Sequence, residues 1–518
     1  MRSDELLHAI DIIETRPGQK QSSEKPTESK GIAYHSGKVS DGFLFVCIKG
    51  YKTDGHLYID QAAQKGAAAA VVEDFQENVP ITQYKVADSR QALAALADKY
   101  YNHPSKKINL TGVTATNGKT TTAYMINSIL EEHGLNTGLV GTVIVKAGNK
   151  VEPADLTTPE SLDLHRFFSR MVEEKVTHAV MEVSSSGLEL KRVGSVDFNT
   201  VVVNNISREH IDLHGSYEDY YNAKASLVRT ANKNQWAVFN LDCPQTAPLV
   251  KETKANPLTY GIKNREADIV VDNLDLSTGR ARFQVSLKNR HSFNFLSEQS
   301  GSINVNLSVL GLHSVYNSMA AILVALINKI PAETISKALL NFKGVERRFE
   351  LIFEDEFMVL DDHFANSGNI NVTLETLQMM DYKKLHLVYA IRGSRGVTVN
   401  RENAETLAYW APKLGLDRII ATTSSSHVGE KDLVTSDEIE VYKEVIDQAG
   451  LKTEIFEELP DAIAAGLKET QKCDVLLLAG CQGMDYGASI CLGQIREIRP
   501  DLPESKIFAA LKNRVAGV

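Results

Sequence analysis

The residues best placed to do chemistry are Thr114-Ala115-Thr116-Asn117-Gly118-Lys119-Thr120-Thr121, lying between the apolar run Ile108 to Val113 and an amphipathic stretch, Thr120 to His133. A strand, a tight loop and a helix in that order bring unpaired N–H groups and the positive end of the helix to the loop, where phosphate oxygens bind. Lys119 neutralises a terminal phosphate in such a loop, and the Thr120 hydroxyl holds Mg2+. Thr116, Asn117, Gly118 and Thr121 complete the cradle, so ATP is the expected ligand. Val113 stands where the strict phosphate-loop pattern has its first glycine. A glycine-containing turn entering a surface helix is the competing reading, and the motifs that follow weigh against it.

Around that loop the chain must supply several folding units, because 518 residues exceed what one hydrophobic core normally organises. Strand-like runs at Gly42 to Ile48 and Ala67 to Glu73 suggest a small α/β unit over residues 1–106. Over 107–343, apolar strands (Ala179 to Val183, Thr200 to Asn204, Trp236 to Asn240) alternate with helical stretches, predicting a mainly parallel sheet. From Ala267 to Leu307 short alternating strands predict an antiparallel edge. A third strand-helix series (Phe357 to Leu360, Leu385 to Ala390, Arg418 to Ala421, Val475 to Ala479) predicts a Rossmann-like unit over 344–518. The expected class is therefore α/β in three domains.

Composition narrows the function classes. Hydrophobic residues make up 43% and charged residues 24%, and no apolar run is long enough for a membrane span. The first residues carry acids early and lack the pattern of a secretory signal. A formal charge of −10 disfavours a nucleic-acid partner. The five cysteines, Cys47, Cys243, Cys473, Cys481 and Cys491, form no Cys-x-x-Cys pair, which disfavours a disulfide framework or zinc ribbon and fits the cytoplasm.

The segment GVTATNGKTTT resembles the nucleotide loop of the Mur ligases, above all their tripeptide-synthetase branch. The resemblance continues in order through LTTPE (Leu156 to Glu160), MEVSSSGLELKRV (Met181 to Val193), NNISREHIDLHGSYEDYYNAK (Asn204 to Lys224), GLHSVYNSMAA (Gly311 to Ala321) and GVERRFE (Gly344 to Glu350). Residues Ser36 to His56 resemble the family's uridine-nucleotide domain, which makes 1–106 a nucleotide-sugar unit, 107–343 the ATP unit and 344–518 the amino-acid unit. The resemblance implies an ATP-dependent ligase that activates a carboxylate as an acyl phosphate and joins it to an amine. Its small-molecule partners are a UDP-muramoyl-peptide-like carboxylate and an amino acid or amine.

By the same resemblance, Glu182 and His210 are ligands of a second Mg2+, Lys224 is the lysine carbamylated in the family, and Lys119 is catalytic. Asn317 and Arg348 reach the nucleotide, and Asp361 or Asp362 its ribose. Ser36, Thr157, Thr158, Ser184 and Arg192 contact the acid substrate, and Asp485 grips the incoming amine.

Departures fall mainly towards the two ends of the chain, with one in its centre. The family's Asp-Ser-Arg becomes His35-Ser36-Gly37, and its histidine after Glu-Val-Ser-Ser becomes Ser186. The Asp-Asn-Pro-Arg signature of diaminopimelate-adding members is replaced after Arg418 to Ala421 by ATTSSSHVGEKD, which disfavours that amino acid. The Gly-Lys-Gly-His-Glu segment becomes Gly480-Cys481-Gln482-Gly483-Met484-Asp485. Two alternatives follow: a relative in a specialised pathway acting on a different acid and amine, and a catalytically silent nucleotide-binding homologue. The joint presence of Lys119, Thr120, Glu182, His210 and Lys224 argues against the second.

Overall fold

Runs that are apolar at every position become central parallel strands, and runs that alternate become strands with one wet face. A computed structural model describes residues 3–18, 29–50, 53–207, 215–288, 302–512 and 514–517. By internal contacts the chain divides into two units, 1–119 with 133–258, and 120–132 with 259–518. This division does not follow the boundaries read from sequence: the antiparallel end of the expected central domain clusters with the last third of the chain.

The first unit holds two sets of strands. Strands β1 (Glu14–Arg16), β2 (Gly31–Ala33), β3 (Phe43–Val46), β4 (Ala69–Val72) and β5 (Thr82–Lys85) form a sheet of order β1-β5-β4-β3-β2, parallel except for β1. The second set comprises β6 (Asn109–Thr114), β7 (Thr137–Val140), β8 (Ile144–Ala147), β9 (Lys150–Pro153), β10 (His178–Glu182), β11 (Thr200–Val203) and β12 (Trp236–Asn240), in the order β12-β11-β6-β10-β7-β8-β9. Its core strands are buried on both faces, and Leu110, Phe168, Met181, Val203 and Phe239 pack in one cluster. Glu182 is in register with Val113, and Val203 with Thr114, so β10, β6 and β11 end together. Loops leaving the carboxyl ends of adjacent parallel strands are where such sheets bind ligands.

In the second unit, β13 (Asn256–Gly261, whose last three residues fall here) pairs with β14 (Ile269–Asp275), which continues antiparallel to β15 (Arg280–Leu287) and β16 (Ser302–Leu310). The alternation Ile303, Val305, Leu307 inward and Asn304, Asn306 outward gives β16 its solvated face. The final sheet runs β17-β18-β22-β19-β20-β21, from β17 (Glu350–Glu354), β18 (Met358–Asp362), β19 (Leu385–Ala390), β20 (Arg418–Thr422), β21 (Lys452–Phe456) and β22 (Val475–Gly480). Only β17 is antiparallel to its neighbour. Apolar clusters cover its two faces, one around Leu387, Tyr389 and Leu477, the other around Val388, Leu476 and Leu478. No described helix is long and apolar enough to cross a membrane.

Candidate active site

The loop after β6 is held by its own neighbours. Gly118 has φ 86, a left-handed turn that glycine makes at little cost. The Thr116 hydroxyl lies 2.8 Å from the Tyr220 hydroxyl and accepts the Ser207 N–H at 2.9 Å. Asn205 clamps Asn117 from both sides, its Oδ1 accepting the Asn117 N–H and its Nδ2 donating to the Asn117 carbonyl, each at 2.9 Å. The Lys119 ammonium donates to the carbonyls of Ala115 and Thr116 at 2.8 and 3.1 Å. Lys224, only 1% exposed, donates to the Ala115 carbonyl at 2.7 Å and lies over the Tyr220 ring. Two ammonium groups thus converge on one loop carbonyl.

Glu182, the last residue of β10, is fully buried. Its carboxylate accepts the Thr142 N–H at 2.7 Å and the Thr142 hydroxyl at 3.0 Å. That hydroxyl lies 3.1 Å from the hydroxyl of Thr157. Thr158 donates to the Glu182 carbonyl and accepts the Ser184 N–H, both at 3.0 Å, while Ser184 caps the short helix Ser185–Glu189 by accepting the Gly187 N–H. Arg192 donates to the Thr158 carbonyl and to Glu160, each at 3.0 Å, and Arg90 reaches the other oxygen of Glu160 at 3.2 Å. Thr157, Thr158, Glu182, Ser184 and Arg192 are therefore one connected network. Ser36 stands apart from it, donating to Gln61 at 2.6 Å. His210 lies outside the described residues.

In the second unit, Thr120 is buried beside Thr121, and Thr122 donates to the buried Asn317 side chain at 3.2 Å. Arg348 turns back onto the Arg347 carbonyl at 3.2 Å. Asp361 is fully buried; one oxygen is paired with Arg514 and the other lies 3.4 Å from Arg347 Nε. Asp485 is paired with Arg347. Burial pushes the Asp485 carboxyl up and the Arg347 guanidinium opposes that shift. The Ser394-Arg395-Gly396 turn is closed by the Glu438 carboxylate, which accepts all three N–H groups at 2.7 to 3.1 Å.

Sequence reasoning did not single out Thr142, Asn205, Tyr220, Arg90 or Arg347 as site residues. Asn205 and Tyr220 lie inside the stretch Asn204 to Lys224, and only folding brings them against the loop they clamp. Thr142 sits in an unremarkable hairpin approach and carried no signal. Among the described residues no cluster of three or more His, Cys, Asp or Glu side chains is arranged to hold a metal ion.

Three family models match successive stretches of the chain: Mur ligase family, catalytic domain, over 28–101; Mur ligase middle domain over 113–325; and Mur ligase, glutamate ligase domain, over 347–482. They define an ATP-dependent ligase that joins an acid to an amino acid. The chain is 34% identical over 452 residues to a UDP-N-acetylmuramoyl-L-alanyl-D-glutamate–2,6-diaminopimelate ligase of Caldanaerobacter subterraneus subsp. tengcongensis, covering 87% of this chain and 89% of that one. It is 33% identical over 473 residues to the ligase of the same name from Clostridium botulinum, covering 89% and 92%. The chain belongs to the Mur ligase family, in its MurE-type branch. Among solved structures, MurF from Acinetobacter baumannii superposes with a TM-score of 0.65 at 20% identity, covering 96% of this chain and 98% of that one. A 2,6-diaminopimelate ligase superposes at 0.62 with 24% identity, covering 88% and 90%. Those two likenesses are of fold, in three domains.

Proposed function

We propose that the chain adds an amino acid to UDP-N-acetylmuramoyl-L-alanyl-D-glutamate or a closely related carboxylate, with ATP consumed to make an acyl phosphate. The observation that carries this is the continuous network from Glu182 through Thr142 to Thr157, Thr158, Ser184 and Arg192, on the strand next to the loop Thr114–Lys119. The names of the relatives supply the acid.

In this reading the substrate carboxylate attacks the γ-phosphorus of ATP, ADP leaves, and the amine then attacks the acyl carbon. The tetrahedral intermediate collapses by expelling phosphate, and the amine gives up a proton. Lys119 turns from its two loop carbonyls to the phosphate oxygens, where its charge offsets the negative charge that grows in the transition state. Arg192 and the threonine hydroxyls orient the acid. Oxygen donors suit Mg2+: Thr120 would hold one ion and Glu182 with His210 a second, and such ions would reduce repulsion between the anions that must react. Asn317 and Arg348 contact the nucleotide, Ser36 the uridine end of the acid, and Asp485 the amine. Asp361 or Asp362 contacts the ribose, and Asp361 with its two arginines also anchors the loop that carries Arg348.

The amine is read as different from diaminopimelate, because the stretch Thr422 to His427 offers hydroxyls and no arginine to a second carboxylate. Phosphate release with ATP, Mg2+, UDP-N-acetylmuramoyl-L-alanyl-D-glutamate and a panel of amino acids, with product masses recorded, tests the proposal. One amino acid giving release and a tripeptide product supports it; release with none assigns the chain a different acid.

A further inference from the structure

Arg347 has φ 57, a conformation that side-chain-bearing residues rarely adopt, yet its guanidinium is only 4% exposed. It reaches the carboxyl end of β22 and donates there to the carbonyls of Gly480 and Cys481 and to the Asp485 carboxylate, the Cys481 contact being 2.8 Å. Two carbonyls and one carboxylate form an acceptor set that also suits the three N–H groups of an ammonium ion. Asp485 itself keeps 38% of its side chain exposed, so one member of that set can be reached from solvent.

The loop bearing Arg347 is fixed from behind. Glu350 accepts the Arg347 N–H at 3.0 Å and pairs with Arg514 at 2.6 Å, and Arg514 also pairs with Asp361. Glu346 accepts the N–H groups of Val515 and Ala516 at 2.8 and 3.3 Å. The backbone at Arg347 is thus held from behind.

We infer that Arg347 is a specificity-determining residue that occupies the amine position until an amino acid displaces it by exchanging partners. The incoming ammonium takes Asp485 and the strand-end carbonyls, and the ligand's carboxylate takes the displaced guanidinium. A plain amine offers no such partner and leaves the desolvated guanidinium with only Asp361, 3.4 Å from its Nε and already paired with Arg514, which is costly. The substrate class is then zwitterionic α-amino acids, with carboxamides and simple amines rejected. This rests on the ligase reading above for the amine's role in the reaction, and on Arg347 alone for the selectivity.

The test is thermal-shift titration of the full chain, without ATP or acid, with a panel of L-amino acids and their carboxamides. The wild type is expected to bind at least one amino acid about tenfold or more tightly than its carboxamide. R347G, whose glycine accepts the left-handed backbone, reduces that ratio below about twofold, and R347Q, which keeps length and loses charge, does the same. R347K retains a preference. A ratio that persists in whichever of R347G and R347Q folds overturns the inference, as does a wild type that binds no member of the panel or binds acid and carboxamide alike. Selective binding without any phosphate release in the full reaction leaves the Arg347 assignment standing and assigns the chain a different acid instead.

Discussion

Glu182 and Thr142 are joined twice, through the Thr142 N–H at 2.7 Å and its hydroxyl at 3.0 Å, and Gly141 leaves the space that the carboxylate fills. A Cβ at Gly141 would overlap Glu182 Oε1, so backbone geometry, and not rotamer preference alone, sets where this carboxylate lies.

Replacing Gly141 by Ala is therefore expected to displace the Glu182 carboxylate and lower kcat by about 100-fold, the order that an ångström-scale misplacement costs. Steady-state kinetics beside circular dichroism separates this from unfolding; an unchanged kcat in a folded G141A would show that the position of Glu182 is immaterial.

Lys119→Met should reduce kcat/KM for ATP by about 1000-fold or more and should also lower the denaturation midpoint. In the absence of ligand its ammonium donates to two loop carbonyls, and hydrogen bonds involving a charged group contribute about 1.5 to 3 kcal/mol each. Urea unfolding and phosphate-release assays on one preparation compare the two effects.

His165 is fully buried, and burial lowers its pKa to about 4, with Asp98 opposing and His103 adding to the shift. The unfolded chain binds the proton more readily, since its imidazole titrates near 6.5. Stability from this group is thus present above pH 6.5 and lost as pH falls towards 4, by up to about 3 kcal/mol. His165→Phe should flatten the curve in that window; denaturation midpoints measured from pH 7 to 4 that fall equally in both proteins would contradict the assignment.

Arg514→Met strips Asp361 and Glu350 of a cation in a site where both are largely buried. Leaving buried charge uncompensated costs about 3 to 5 kcal/mol. Chemical denaturation should register a loss of that size, whereas a surface pair such as Arg401 and Glu444 should yield less than about 1 kcal/mol when broken.

Much of this architecture was legible beforehand, for reasons visible in particular segments. Buried parallel strands such as Val475–Gly480 announce themselves as unbroken apolar runs, and the helix Lys119–Glu132 follows a loop whose glycine and lysine have a physical purpose. The antiparallel edge was legible from the alternation in β14 and β15. What sequence could not convey were pairings made only by folding. Arg347 meets Asp485 across 138 positions, and Arg514 meets Asp361 across 153, with no local pattern to mark either. Two acids read as ligand contacts are therefore seen in the structure already joined to arginines. The two-unit division was equally hidden, because contact density follows tertiary packing and not composition.

Glu438 fills the Ser394-Arg395-Gly396 turn and also closes the capping box of the helix Ser436–Gln448 with Thr435. A peptide turn of that shape is a ready receptor for oxyanions, and here the receptor comes with its guest covalently attached. Free phosphate or a ligand carboxylate would have to compete with an intramolecular rival present at very high effective concentration. The turn is thereby converted from a docking point into a hinge pin, stiffening the region between β19 and β20 whatever the solution around it contains.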